Sequence, residues 1–396
     1  MKKLSQIAMN IQPSATLAVD SKAKALKAEG KPVLNFGIGE PDFDTPEAIK
    51  AVGIEAIQGG KTKYTPAAGT VDVRKAAAYR LKKDCGLDYD YTQIVIASGA
   101  KHVIFAALQV LVEAGDEVIL PAPYWVSYLE MIRMAGGTPV VVDAPEAQDF
   151  KITPAQLESA ITPRTKALIL NSPSNPTGMV YTRGELAALA EVCRRHDLYV
   201  VSDEIYNRLV YDGTEFTSFA SLSEDAKERT IVVNGASKTY AMTGWRIGYA
   251  AANADIAKRM SSYLSHSTGA PATMCQAAAA EAFLGHDDTV EQMRKAFEQR
   301  RRYLIERISA IDGVSCLEPQ GAFYVMLNIE KLVGKTIGGR LIADDGDFCE
   351  AFLEKSFVAL TPGKAFGIAN FARWSYAASM ENIEQGCDRL EAFLKS

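Results

Sequence analysis

Short apolar runs alternate with amphipathic runs from residue 93 to residue 251 of this 396-residue chain. The apolar runs, rich in β-branched residues, predict strands at 93–97, 117–120, 138–142, 167–170, 198–202, 230–233 and 247–251. The other runs predict helices at 102–111, 126–135, 154–161 and 183–196, after two more at 46–58 and 71–85. This alternation is typical of parallel strands joined by helical crossovers. The sequence therefore predicts an α/β fold, with helices on both faces of a mostly parallel sheet.

Polar segments follow five of the predicted strands. They are SGAK (98–101), PYW (123–125), NSPSNPTG (171–178), SDEIY (202–206) and NGASKTYAMTGWR (234–246). The carboxyl ends of parallel strands share one edge of a sheet, and ligands bind beyond that edge. We therefore expect these segments to converge on a single site.

The last of these segments holds two cations and two hydroxyl groups at the mouth of a buried strand. They are Ser237, Lys238, Thr243 and Arg246. Buried charge needs a partner, a lysine can form a Schiff base with an aldehyde, and an arginine can bind a phosphate through paired hydrogen bonds. An aldehyde that carries a phosphate describes pyridoxal 5′-phosphate (PLP). A surface loop with scattered basic residues is the alternative that this segment alone leaves open.

The other polar residues have both a functional and a plain interpretation. The turn at 98–101 directs free N–H groups and the positive end of a helix dipole at one point, which suits an anion. It lacks the GxxxxGK[ST] pattern of a P-loop. Asn175 can be an Asx-turn residue, Asp203 a helix cap and Trp125 a core residue. Arg373, in an apolar strand, needs an anion or an acidic partner.

Composition argues against several classes of function. The net charge of −5 argues against a nucleic-acid surface. The six cysteines are scattered, without a CxxC pair or a Cys/His cluster, so we expect reduced thiols and no metal site. The chain has neither an apolar run long enough to span a membrane nor the apolar core of a signal peptide. We therefore expect a cytoplasmic protein that does not bind membranes.

The pattern changes beyond residue 285. A long charged helix at 290–310 is followed by short strands and helices in an α+β arrangement. We expect a large domain at 46–285 and a smaller α+β domain formed by 1–45 together with 286–396.

Three motifs, SPSNPTG (172–178), SDEIY (202–206) and SKTYAMTGWRIGY (237–249), occur in an order and spacing that is highly specific. With them the chain resembles, over essentially its whole length, the class I/II aminotransferases, which are PLP enzymes of fold type I. The segments PSATLAV, GEPDFDTP, KTKYTPAAG, PYWVSY and ITPRTKAL are most similar to the bacterial branch of aspartate and prephenate aminotransferases, subgroup Iβ. The resemblance implies a three-layer α/β/α fold with a smaller α+β domain, and transamination as the reaction.

The resemblance also implies how each segment would meet PLP. Lys238 would bind the cofactor covalently and then act as general base, while Asp203 would pair with the ring N–H⁺. Asn175 and Tyr206 would donate hydrogen bonds to the phenolate oxygen, and Trp125 would stack on the ring. The phosphate would be bound by backbone N–H groups of Gly99, Ala100 and Lys101, by Ser237 and Arg246, and by Tyr64 from the neighbouring subunit of a homodimer.

For the substrate, the resemblance assigns the α-carboxylate to Arg373, helped by Asn175 and the backbone at Gly39. In subgroup Iβ a lysine and N-terminal hydroxyls bind the distal carboxylate, and these match Lys101, Ser14 and Thr16. The stretch SHSTG (265–269) contains no arginine for that task. Trp125 would also line the substrate site. We therefore expect aspartate or glutamate as donor and 2-oxoglutarate or oxaloacetate as acceptor, with tyrosine, phenylalanine or prephenate as the alternative.

Three rival functions can be compared with this one. A PLP-dependent lyase would share the cofactor site but would release pyruvate and ammonia without any oxo-acid acceptor. A PLP-sensing regulator would need a DNA-binding module, and no basic helix-turn-helix extension precedes residue 30. An NAD-binding fold would need GxGxxG after its first strand, which is absent. One departure from the family is Trp374, which on an alternating strand should point away from the substrate.

Overall fold

The computed structural model describes residues 2–396. The α-helices are α1 (Gln6–Asn10), α2 (Ala15–Ala28), α3 (Glu47–Gln58), α4 (Val71–Cys85), α5 (Ala100–Leu111), α6 (Ser127–Met134), α7 (Pro154–Ala160), α8 (Arg183–Arg195), α9 (Glu224–Arg229), α10 (Ala254–Ser267), α11 (Thr273–Leu284), α12 (Asp287–Ser309), α13 (Asp345–Ser356) and α14 (Met380–Leu394). The strands are β1 (Leu34–Asn35), β2 (Ile94–Ala97), β3 (Glu117–Ala122), β4 (Thr138–Asp143), β5 (Thr165–Asn171), β6 (Tyr199–Asp203), β7 (Thr230–Gly235), β8 (Gly248–Ala251), β9 (Tyr324–Asn328), β10 (Thr336–Ile337), β11 (Arg340–Leu341), β12 (Val358–Ala359), β13 (Thr361–Pro362) and β14 (Phe371–Ser375).

The central sheet has seven strands in the order β2-β8-β7-β6-β5-β3-β4. Neighbouring strands are parallel except at β8, which runs against both β2 and β7. These seven strands correspond to the seven that the apolar runs predict, and the mostly parallel sheet is confirmed. Because β8 is reversed, its first residues lie at the same edge as the last residues of the other strands.

Helices cover both faces of this sheet because its strands are apolar on both sides. In β2, Val95 and Ala97 pack with α5 and α10, whereas Ile94 and Ile96 pack with α4 and α11. Helices α7 and α8 pack over β5 on the same face of the sheet as α4 and α11. Each fully buried aliphatic side chain contributes about 1.5–3 kcal/mol. Helices on both faces of the sheet confirm the three-layer α/β/α architecture.

A second, smaller sheet lies in the C-terminal part of the chain. It is antiparallel, in the order β13-β14-β9. Strand β1, from the N-terminal segment, pairs in parallel with β12. This pairing joins the two segments that the sequence assigns to a small domain, and it supports that grouping. The boundaries themselves, 46–285 against 1–45 plus 286–396, stay a prediction.

Between residues 46 and 285 the sequence patterns miss three helices, the short α9 and the longer α10 and α11. Helix α11 has an alanine-rich sequence, TMCQAAAAEAFL, and packs against both α3 and α4, so it lacks a single apolar stripe. Helix α10 does carry the helical period at Ile256, Met260 and Leu264, all of which are buried. That period could have predicted α10 from the sequence.

Two further features bear on the composition argument. No helix within residues 2–396 is both long enough and apolar enough to cross a membrane. The six cysteines are free thiols.

Candidate active site

A cavity of about 390 Å³ lies at the carboxyl edge of the central sheet. Strands β2, β5, β6 and β7 lead into its lining residues Ala100, Asn175, Asp203 and Lys238. Arg246 reaches the same edge because it lies just before β8, the one strand that runs in the opposite direction. The predicted site residues that line the cavity are Thr16, Gly39, Ala100, Lys101, Trp125, Asn175, Asp203, Tyr206, Ser237, Lys238, Arg246 and Arg373. The predicted convergence on a single cavity is therefore found.

Lys238 follows the end of β7 and projects into this cavity. Its Nζ donates to the backbone carbonyl of Gly39 at 2.5 Å and lies 5.7 Å from the centre of the Phe323 ring. Burial lowers the pKa of Lys238 to about 8. The side chain forms no ion pair with any residue in 2–396. An appreciable fraction of the amine is therefore neutral near neutral pH, as a nucleophile or general base requires.

Asp203 ends β6 with its carboxyl group inside the cavity. Oδ2 accepts from the Tyr128 hydroxyl at 2.6 Å, and Oδ1 accepts from the Ile205 N–H at 3.2 Å. Burial raises the pKa of Asp203 to about 6 despite these two donors. No cationic side chain in the described part of the chain pairs with it. The carboxylate can therefore be stabilised by a protonated ring nitrogen in the cavity.

An anion-binding surface lies beside Lys238. The backbone N–H groups of Ala100 and Lys101, in the first turn of α5, find no acceptor within residues 2–396. Arg246 donates only to backbone carbonyls, from Nη1 to Thr243 at 2.9 Å and from Nη2 to Ser98 at 3.3 Å. The Ser237 side chain lines the same cavity. Free amides at a helix N-terminus, a hydroxyl and an unpaired guanidinium suit a phosphate group.

Gly99 differs from its predicted role in this surface. Its N–H donates to the Ala97 carbonyl at 2.7 Å and is not free for an anion. Its backbone has φ +87°, and a Cβ at this position would overlap the Arg246 guanidinium. Two of the three predicted amides, those of Ala100 and Lys101, are thus available. Glycine is needed at 99 for the turn and for close approach of the arginine.

Arg373, on β14, is held by the chain without any acidic partner. Nη1 donates to Asn175 Oδ1 at 2.8 Å, and Nη2 donates to the Gly37 carbonyl at 2.6 Å. The guanidinium carbon lies 4.5 Å from the Tyr324 ring centre and 4.8 Å from that of Phe366. Only 2% of the residue is exposed, and its Nε has no partner within residues 2–396. An oriented, buried and unneutralised guanidinium is suited to a carboxylate ligand.

The position of Arg373 determines the orientation of Trp374 and the hydrogen bonding of Asn175. Trp374 points into the main core, where its ring centre lies 4.8 Å from that of Phe36. The predicted orientation of Trp374, away from the cavity, is confirmed. Because Asn175 uses Oδ1 to accept from Arg373, its amide Nδ2 remains available to donate into the cavity.

Tyr206 makes a contact that the sequence patterns do not anticipate. Its hydroxyl lies 2.8 Å from the hydroxyl of Tyr324, and both rings are buried. Burial raises the pKa of both tyrosines, so both are protonated near neutral pH and can donate hydrogen bonds. Tyr324 belongs to an apolar run, GAFYVML (321–327), and sequence reasoning assigns it no part in the site. The polar tyrosine among these apolar residues was the available signal.

Lys101 is a further cation without an acidic partner. Its Nζ lies 5.0 Å from the centre of the Trp125 ring. Burial, and secondarily the charge of Arg246, lower the pKa of Lys101. Nearby, the hydroxyls of Ser14 and Thr16 are 2.9 Å apart. Thr16 lines the same cavity as Lys101, whereas Ser14 lines an adjoining cavity of about 610 Å³ that also includes Lys101.

Tyr64 is a predicted site residue that lies outside this cavity. Its relative accessibility is 107%, and it does not line the cavity of this chain. An aromatic side chain exposed in this way is free to contact a second subunit. The position agrees with the predicted contact to a second subunit, which stays a prediction.

The arrangement combines four chemical capacities in one cavity. It offers an amine of lowered pKa, a buried carboxylate, an anion-binding surface and a second guanidinium. These fit a group that carries an aldehyde, a ring nitrogen and a phosphate, together with a substrate carboxylate. Within residues 2–396 no three His, Cys, Asp or Glu side chains are grouped so that they could hold a metal ion.

Comparison with curated proteins finds relatives along the full length of the chain. It is 47% identical over 394 residues to the aspartate aminotransferase of Geobacillus stearothermophilus, covering 100% of this chain and 99% of the relative. It is 45% identical over 395 residues to the aspartate/prephenate aminotransferase of Cereibacter sphaeroides, covering 99% of each.

Comparison with solved structures and with family profiles agrees. The aspartate aminotransferase of Rhizobium meliloti superposes with a TM-score of 0.96 at 40% identity, covering 100% of this chain and 99% of that one. The enzyme of Thermus thermophilus, solved with maleate, gives 0.94 at 41% identity and covers all of both chains. The profile described as aminotransferase class I and II matches residues 31–390. The chain belongs to the class I and II aminotransferase family and is an aminotransferase.

Proposed function

We propose that this chain is a PLP-dependent aminotransferase for dicarboxylic amino acids, with aspartate as the first candidate donor. The observation that carries the proposal is that Lys238, Lys101 and Arg373 line one cavity, and none of them has an acidic partner within residues 2–396. Three cations kept unneutralised in a partly buried site are costly unless ligands complete them. A cofactor bound to Lys238 and a substrate with two carboxylates would do so.

When bound, PLP supplies an aldehyde for the substrate amino group and a ring that withdraws electrons from the Cα–H bond. Lys238 would hold it and afterwards move the proton between Cα and the cofactor. Asp203 would keep the ring nitrogen protonated, because its buried carboxylate accepts only from a hydroxyl and an N–H and a ring cation would compensate its charge. Asn175 and Tyr206 would donate to the phenolate oxygen. Ala100, Lys101, Ser237 and Arg246 would bind the phosphate.

Arg373 and Lys101 would select the substrate by its two ends. Arg373 is oriented by Asn175 and by the Gly37 carbonyl, so it can receive an α-carboxylate without rearrangement. Lys101, with Thr16 and Ser14 close by, would receive the distal carboxylate. The relatives named aspartate aminotransferase, and the maleate in the Thermus thermophilus structure, support a dicarboxylate as substrate.

Prephenate, or an aromatic donor such as tyrosine or phenylalanine, is the second candidate. It is favoured by the relative named aspartate/prephenate aminotransferase. The Trp125 ring and the apolar Ile38 side chain line the cavity beside Lys101. They would give a ring-bearing substrate apolar surface to contact.

A homodimer would complete the site. The fully exposed Tyr64 would reach the phosphate of the second subunit. Sedimentation of the purified holoenzyme, together with Tyr64→Phe measured for PLP affinity, tests this. A monomer with full activity would contradict it.

The test of the proposed function is a screen of half-reactions. Holoenzyme without an oxo-acid acceptor is mixed separately with aspartate, glutamate, tyrosine and phenylalanine, and conversion of the cofactor is followed by absorbance. The acceptors 2-oxoglutarate, oxaloacetate and prephenate are then tested in the reverse direction. We expect aspartate to react with the highest second-order rate constant. Release of ammonia and pyruvate without an acceptor would identify a lyase instead.

A further inference from the structure

Tyr324, the first residue of β9, lies where three parts of the active site meet. Its hydroxyl is 2.8 Å from the hydroxyl of Tyr206. Its ring centre is 4.5 Å from the guanidinium carbon of Arg373. Its hydroxyl also abuts Gly39, where a Cβ would overlap it. Only 1% of Tyr324 is exposed, yet it lines the cavity.

The two hydroxyl protons of this pair can be assigned by counting acceptors. Each phenol carries one hydrogen, and Tyr324 has no hydrogen-bond partner within residues 2–396 other than Tyr206. If Tyr206 donated to Tyr324, the Tyr324 hydrogen would have no acceptor in the described chain, and the Tyr206 hydrogen could not reach the cofactor. If Tyr324 donates to Tyr206, the Tyr206 hydrogen is free to point at a group in the cavity. The second arrangement is the one in which Tyr206 can donate to the phenolate oxygen, as the proposed function requires.

The ring of Tyr324 has a separate task. The Arg373 guanidinium carbon lies over this ring and also over the ring of Phe366, 4.8 Å from the Phe366 ring centre. Two hydrogen bonds fix the Nη atoms, and the aromatic rings limit rotation of the guanidinium plane. The ring and the hydroxyl therefore act on different ligands.

We propose that Tyr324 is a positioning residue that acts on both cofactor and substrate. Its hydroxyl donates to Tyr206 and so directs the Tyr206 proton to the phenolate oxygen of the cofactor. Its ring aligns Arg373 for the substrate α-carboxylate. The proposal rests on the proposed function, because it takes PLP as the acceptor.

Two substitutions separate the two tasks. Tyr324→Phe removes the hydroxyl and keeps the ring, whereas Tyr324→Leu removes both. Tyr206→Phe is the reference for complete loss of the bond to the cofactor. Tyr376→Phe is the matched control, because Tyr376 is equally buried and its hydroxyl donates to the Ala322 carbonyl at 3.3 Å, away from the cavity.

The first readout is the pH midpoint of the visible absorption band of each holoenzyme. Donation from Tyr206 stabilises negative charge on the phenolate oxygen and favours loss of the chromophore proton, so weaker donation raises the midpoint. In a chain of hydrogen bonds each bond strengthens the next by about 10–30%. We expect Tyr324→Phe to raise the midpoint by about 0.2–0.5 units on this basis, Tyr206→Phe to raise it further, and Tyr376→Phe to leave it unchanged.

The second readout is the dissociation constant of maleate, a dicarboxylate that cannot react. Tyr324→Phe should leave it within about twofold of wild type, because the aromatic face is kept. Tyr324→Leu should weaken binding by about 3- to 30-fold, the range of a partly desolvated cation–π contact. Equal maleate affinity in both variants would overturn the role of the ring.

The midpoint separates failure of this inference from failure of the proposed function. A wild-type protein with no pH-dependent visible band would refute the PLP site and this inference with it. A wild-type band with an unchanged or lowered midpoint in Tyr324→Phe would overturn only the proton direction. A lowered midpoint would mean that Tyr206 donates to Tyr324 and not to the cofactor.

Discussion

Replacing Lys101 by methionine should change selectivity between acidic and aromatic donors. The substitution removes the charge but keeps an unbranched side chain over Trp125, 5.0 Å from the lysine Nζ in this structure. Lys101 has no acidic partner, so its charge is available to a ligand. A hydrogen bond to a charged group contributes about 1.5–3 kcal/mol. Its loss corresponds to a decrease of roughly 10- to 150-fold in the second-order rate constant with aspartate.

Phenylalanine has no distal carboxylate, and its rate constant should stay within about threefold, since only apolar surface changes. The assay is the single-turnover half-reaction without 2-oxoglutarate, because that acceptor would itself need Lys101. Lys364→Met is the matched control: this lysine lines only the adjoining cavity and is paired with Asp344 at 2.9 Å. Equal losses for both donors, or none for aspartate, would refute the role of Lys101.

Two more substitutions test other parts of the site, and a third tests the pH dependence of stability. Arg373→Lys keeps the charge but loses the two oriented Nη bonds and the aromatic stacking, so aspartate and phenylalanine half-reactions should both slow by about 100-fold; a loss confined to aspartate would contradict this. Gly99→Ala places a residue with a side chain at φ +87°, and its Cβ would overlap Arg246. The dissociation constant of PLP should therefore rise about 10- to 100-fold. Gly86→Ala is the control: it also has a positive φ, +68°, but its Cβ would meet open space, so PLP affinity should not change. Burial raises the pKa of Glu204 to about 7. The folded state therefore holds a proton that the unfolded state has lost, and the free energy of unfolding falls as pH rises from about 4.5 through 7. Glu204→Gln should remove up to about 3 kcal/mol of that fall, measured as urea midpoints of the apoprotein from pH 5 to 8; parallel curves for variant and wild type would contradict it.

Sequence reasoning worked best where one physical cause acts on a whole element. Except for the edge strand β4, the strands of the central sheet are largely buried on both faces, so each carries an apolar run that can be found from the sequence alone. Because parallel strands end at a common edge, the convergence of Asn175, Asp203 and Lys238 also followed. Arg373 could be singled out because a charge inside an apolar strand requires a ligand or a partner.

It failed where the outcome depends on a particular neighbour. The Gly99 N–H is used by the Ala97 carbonyl, a local turn bond that spacing does not reveal. Tyr324 meets Tyr206 across 118 positions of sequence, so no local pattern connects them. Helix α11 packs on two sides and loses the apolar stripe by which helices are recognised. Each of these depends on tertiary contacts that the local sequence does not reveal.

The site of covalent attachment tests the central claim most directly. Holoenzyme is reduced with borohydride, digested and analysed by peptide mass spectrometry. We predict that the peptide containing Lys238 carries a reduced phosphopyridoxyl group, and that Lys238→Arg yields no labelled peptide although its fold, measured by circular dichroism, is unchanged. Label on a different lysine, or a wild-type protein that takes up no PLP, would contradict the account.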